Sequence, residues 1–97
     1  MSSTLTLIAI LRAKPGRADA MEALLRGMLA PSRAEAGCLQ YDLHRDRKDA
    51  DLLYMIEQWR DDAAFAEHEA SPHFQAFVKA AEAELAELDI RLMNRVD

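Results

Sequence analysis

Glu57, Trp59 and His68 stand close together in the second half of the chain, and His73 follows five positions later. A carboxylate and an imidazole can both move protons near neutral pH, the imidazole without any special tuning. An indole offers a flat wall for another ring. Glu57 and Trp59 are two residues apart, so on a strand they point to the same face. A carboxylate beside an indole on a mostly apolar face is not something packing alone requires. Two readings of Glu57 are open: a buried carboxylate bonded to backbone, or the partner that orients a histidine. Trp59 by itself also reads as core, and His68 by itself as a structural or solvated helix residue. Phe65, His68 and Glu69 fall at i, i+3 and i+4 and share one helical face. His73 sits at the second position of a helix and reads either as a contact to the preceding turn or as a pocket group.

The segment His68-Glu69-Ala70-Ser71-Pro72-His73 imitates a zinc-protease signature but departs from its spacing. Its histidines are five apart instead of four and leave a common helical face, and Pro72 interrupts the helix between them. Cys38 and the remaining His44 complete no other metal set, so the chain is expected to hold no metal. There is no Gly-rich phosphate loop or dinucleotide fingerprint, and no cofactor is expected.

The elements that must position these groups follow from periodicity. Leu52–Arg60 reads as a strand with apolar residues on both parities: Leu53, Met55 and Trp59 on one, Leu52, Tyr54 and Ile56 on the other. A strand apolar on both faces is covered on both. Thr4–Arg12, ended by Lys14-Pro15-Gly16, is a second central strand. Met21, Leu24, Leu25, Met28 and Leu29 give a helical stripe over residues 17–35, which Pro31 is expected to kink or end, with Ser32 and Glu35 at capping-box spacing. The methionines in that stripe read as core filling. Cys38–Asp46 is an edge strand with Leu39, Tyr41 and Leu43 on one face and a solvated His44 on the other. The polar segment 46–51 turns into the next strand. Asp61 or Asp62 caps a helix, and Ser71-Pro72 stops it and starts another. That last helix runs to about Ala86, with Phe74, Phe77, Val78, Ala81 and Leu85 as its stripe, and Leu88–Val96 alternates as a half-buried fourth strand.

The order strand, helix, strand, strand, helix pair, strand predicts a single α+β domain over residues 1–97. Its fold is ferredoxin-like, βαββαβ, a four-stranded antiparallel sheet with helices on one face. The other face is left for a second subunit, giving a homodimer in the form of a dimeric α+β barrel. A net charge of -5 without a Lys/Arg cluster excludes a nucleic-acid partner. The lone Cys38 forms no internal disulfide and fits a cytoplasmic location. The apolar run Leu5–Leu11 is too short for a signal core or a membrane span, so no membrane partner is expected.

Taken together, Gly37-Cys38-Leu39-Gln40-Tyr41, Glu57-x-Trp59 and His68 with Ser71-Pro72-His73-Phe74 resemble the antibiotic biosynthesis monooxygenase family, nearest its small quinol monooxygenase-like branch. The resemblance runs from the first strand to the fourth. It implies a homodimeric barrel that acts with O2 on a quinol or other small phenolic aromatic, without metal or flavin. The electron-rich substrate anion would pass an electron to O2, while the protein deprotonates, orients and shelters it. Carried onto this chain, Trp59 is a pocket wall, His68 the candidate base and Glu57 the orienting carboxylate. Tyr41, His73, Phe74 and Phe65 line the site. Heme-degrading relatives use an Asn on the first strand, and Thr4–Arg12 contains none, which disfavours heme cleavage. A non-catalytic ligand-binding or stress-associated dimeric barrel is the alternative, because a fold does not give a function. An isomerase of phosphorylated sugar-like compounds lacks its Arg pair here.

Overall fold

The structure is a computed structural model and describes residues 4–97. Its elements are β1 (Leu5–Ala13), α1 (Ala18–Arg33), β2 (Cys38–Arg45), β3 (Leu52–Trp59), α2 (Asp62–Ala70), α3 (Pro72–Ala81) and β4 (Leu85–Met93). The strands form one antiparallel sheet in the order β2-β3-β1-β4, with the helices over one face. This is the expected ferredoxin-like α+β fold.

Strict alternation builds the two central strands. Leu5, Leu7, Ala9 and Leu11 of β1 are buried, as are Leu53, Met55, Glu57 and Trp59 of β3. The two strands pair Leu5 with Trp59 and Leu7 with Glu57, so both inward rows lie under the helices. Met21, Leu25 and Met28 of α1 complete that core at helical spacing. Each such side chain contributes about 1.5–3 kcal/mol on full burial. Gly16 has φ 77° in the turn after β1, a left-handed conformation in which a side chain would be strained.

Four expectations change. Pro31 does not end α1, which continues to Arg33 and closes with Ala34 N–H donating to Ala30 C=O. The proline gives up its own N–H bond to the carbonyl four residues back, but the ladder resumes beyond it at Ala34. Ser32 is therefore a buried residue of α1 and not the cap of a new turn.

In β2 the pairing slips between Cys38 and Gln40, which oppose Trp59 and Gln58. Leu39 is the extra residue of this bulge and turns to solvent, although its parity with Tyr41 had put it inside.

The last helix stops at Ala81 and the last strand begins at Leu85, earlier than periodicity suggests. Lys14 N–H donates to Glu84 C=O at 2.8 Å, and β1 takes Leu85 opposite Ala13. Backbone pairing thus claims residues that the helical stripe had included. Val78, at 42% exposed, leaves the core with it.

Finally, β4 is exposed along almost its whole length instead of half-buried. Leu88, Ile90 and Leu92 pair with Leu11, Ala9 and Leu7 and share their face, but no helix covers this edge.

Candidate active site

Capping sets the phase of the two short helices. Asp61 Oδ1 accepts the Ala64 N–H at 2.8 Å, and the Ser71 hydroxyl accepts the Phe74 N–H at 3.2 Å, with Pro72 opening α3. Ala64 and His68, one turn apart, are the buried residues of α2. Ala64 lies against Gly37, where an added Cβ would collide with its side chain. This close approach holds α2 down on the sheet and drives His68 into the aromatic layer. The His68 ring lies 4.5 Å from that of Trp59, 5.0 Å from Phe74 and 5.4 Å from Tyr41. Phe65 closes the group at 6.2 Å.

His68 is 1% exposed. Burial holds its pKa below the ordinary value, against the pull of Glu35, so the imidazole is neutral at pH 7. Its Nδ1–H donates to Glu35 Oε2 at 2.7 Å, and His73 Nε2–H donates to the same oxygen at 2.9 Å. Glu35 follows α1, and sequence reasoning had seen it only as half of a capping box. The carboxylate that orients His68 is thus Glu35, and the expectation that Glu57 does so is corrected. The spacing argument that kept His68 and His73 apart also fails. The break at Ser71-Pro72 lets two helices aim them at one point, which a single helix could not. Separations of 33 and 38 residues leave no periodic signal by which Glu35 could have been found.

Glu57 is turned elsewhere. It is 5% exposed, and among the described residues it is the only carboxylate in the buried class. Its Oε1 accepts the Trp59 Nε1–H at 2.9 Å. Burial pushes its carboxyl up to about 7, with Glu35 and Glu69 adding to the rise and the indole N–H opposing it. Such a group exchanges protons near neutral pH. The Tyr41 phenol, raised by burial and then by Glu57, stays protonated there. Burial likewise raises the Cys38 thiol, which leaves it a poor nucleophile.

Glu57 lines an apolar cavity of about 190 Å³ between the sheet and helices α1 and α3, open at the β4 edge. Leu25, Tyr41, Met55, Phe74 and Phe77 form its walls, with Glu82 at one side and the β4 residues Leu88 and Ile90 at another. Among the described residues no Lys, Arg or His lines it. Of the expected site residues, Tyr41, Glu57 and Phe74 are therefore at the cavity. Trp59, Phe65, His68 and His73 stand behind its wall. A larger cleft of about 370 Å³ between α1 and β2 carries Arg26, Arg33 and Arg45. Arg26 is paired with Glu22, Arg33 with Asp42, and Arg45 with both Asp19 and Glu22, so the cleft presents an ion-pair lattice with His44 on its wall.

The family model described as "Antibiotic biosynthesis monooxygenase" matches residues 4–80. The Mycobacterium tuberculosis protein named "Putative monooxygenase Rv0793" is 39% identical over 74 residues, 76% of this chain and 72% of that one. The Bacillus subtilis "Putative monooxygenase YcnE" is 34% identical over 87 residues, 89% of this chain and 92% of its own. Among solved structures, PA3566 from Pseudomonas aeruginosa superposes with a TM-score of 0.95 at 56% identity, covering 100% of this chain and 98% of that one. No helix among the described residues is long and apolar enough to cross a membrane.

Proposed function

The chain belongs to the antibiotic biosynthesis monooxygenase family, and from that premise we propose that it uses O2, without a cofactor, to oxygenate a quinol or other small phenolic. The observation that carries this reading is one buried carboxyl, Glu57, pushed up to about 7 by burial at the wall of a mostly apolar cavity of aromatic-ring size. A positioned proton acceptor can take the proton of a phenol, and apolar walls keep water from the electron-rich anion once it has formed.

In this reading the substrate hydroxyl gives its proton to Glu57. The anion passes one electron to O2, and the resulting radical pair joins to form a C–O bond. The ring-bound hydroperoxide then breaks its O–O bond and loses water. For a quinol the balance is quinol plus O2 giving hydroxyquinone plus H2O, with all four electrons supplied by the substrate. Glu57 and Glu82 at the cavity, with no cation among its described lining residues, favour a neutral substrate over a carboxylated or phosphorylated one. Glu57 is assigned the proton because it lines the cavity, whereas His68 is bonded to Glu35 behind it. Trp59 holds Glu57 in place, and His68 supports Trp59 from the other side.

A homodimer is part of the same proposal. Leu88 and Ile90 line the cavity yet are 51% and 41% exposed, so a second subunit over this edge would close it. The opposite sheet face also presents the half-buried Ile8, Ile10 and Ile56. Cytoplasmic location is the reading that the single unpaired Cys38 supports.

Oxygen uptake with menadiol-type quinols tests the function. Glu57→Gln should lose about 10²–10⁴-fold in rate while staying folded. A loss of that size in His68→Ala with Glu57→Gln unaffected would move the base to His68. Failure of every quinol to support uptake would leave ligand binding without turnover as the better account.

A further inference from the structure

We propose that Glu35, His68 and His73 bind one divalent transition-metal ion of the zinc, cobalt or nickel class. The inference does not rest on the oxygenase reading, because none of the three residues lines the cavity. Their donor atoms come from three separate segments: the residues after α1, helix α2 and helix α3. Glu35 Oε2 is 2.7 Å from His68 Nδ1 and 2.9 Å from His73 Nε2, and all three atoms lie within 4.8 Å of one another.

A tetrahedral ion about 2.0–2.2 Å from each donor sets neighbouring donors roughly 3.3–3.6 Å apart. The two separations from Glu35, 2.7 and 2.9 Å, need to open only slightly to reach that value. The third, between the histidines and no more than 4.8 Å, can be closed by a rotation of His73, the less buried of the two, whose side chain is 24% exposed. His68 needs no adjustment of its own, since Trp59, Tyr41 and Phe74 hold its ring with Nδ1 presented to Glu35. Two imidazole nitrogens and one carboxylate oxygen suit borderline transition ions and not calcium or magnesium, which take oxygen donors. Three protein donors also leave positions for water or an added ligand, the pattern of open sites. Without an ion, the same atoms make two N–H···O bonds to one carboxylate, which an ion would replace.

Chelator-stripped full-length protein titrated with zinc chloride in a calorimeter should bind one ion per chain with micromolar affinity or better. Cobalt(II) should bind with the same stoichiometry and quench the emission of Trp59, the chain's only tryptophan, which touches His68. Glu35→Gln and His73→Ala should each weaken binding by about tenfold or more. His44→Ala, altering an exposed histidine on β2, should leave it unchanged. Unaltered far-ultraviolet circular dichroism of each variant would show that the loss is local. The absence of saturable zinc binding, or binding that survives both Glu35→Gln and His73→Ala, would overturn the proposal. Because the assay contains no quinol, its result is separate from that of the oxygen-uptake experiment.

Discussion

The indole Nε1–H of Trp59 donates to the Glu57 carboxylate two residues earlier on the same strand, at 2.9 Å, with both side chains out of solvent. One face of β3 thus carries both a buried acid and the donor that steadies its charged form. Trp59→Phe keeps an aromatic ring and removes the donor. The Glu57 pKa should then rise further above its present value of about 7. The orphaned acceptor should cost about 1–3 kcal/mol of stability. Carbon-13 NMR titration of labelled glutamate reads the shift, and an unchanged midpoint would mean that the bond does not tune Glu57.

The raised pKa also makes stability depend on pH. Between the ordinary value of 4.5 and about 7 the folded chain keeps a Glu57 proton that the unfolded chain releases. This contribution to stability is present at low pH and is lost as pH rises through that window. His68, with its lowered pKa, acts in the opposite sense and loses stability as pH falls below its ordinary value. Glu57→Gln isolates the first effect. Relative to wild type, the variant should gain on the order of 2–3 kcal/mol between pH 5 and pH 8. Urea unfolding at fixed protein concentration measures this. A constant difference across that range would return Glu57 to an ordinary carboxylate.

Gly37 faces the Ala64 side chain with no room for a Cβ. Gly37→Ala should push α2 away from the sheet and cost about 1–3 kcal/mol, as overpacking does. Its second effect should be a looser His68 ring against Trp59, visible as a change in tryptophan emission. Wild-type stability and emission together would show that the approach is not a constraint.

If the sheet face carrying Ile8 and Ile56 is the dimer interface, Ile8→Asp should place a charge in it and give monomers. Sedimentation of the wild type at micromolar concentration should give twice the mass of the chain. A wild-type monomer, or an unaffected Ile8→Asp dimer, would place the contact elsewhere or remove it.

The central strands and the helix starts, which depend on local period and local chemistry, were legible in the residues. The apolar runs Thr4–Arg12 and Leu52–Arg60 identified the central strands, and two-residue spacing put Glu57 and Trp59 on one face. Asp61 and Ser71-Pro72 marked their helices because a cap acts within three residues of itself. What the sequence could not carry was set by pairing and packing between distant segments. The bulge that turns Leu39 outward depends on how β2 pairs with β3. The exposure of Leu88 and Leu92 depends on where the helices stop covering the sheet. The start of β4 at Leu85 depends on where β1 still offers a partner. Glu35 meets His68 and His73 only after α1, α2 and α3 have docked, and Glu57 is separated from His68 by the same docking. Residue spacing describes one element at a time. Convergence across 33 and 38 residues is a property of the assembled core.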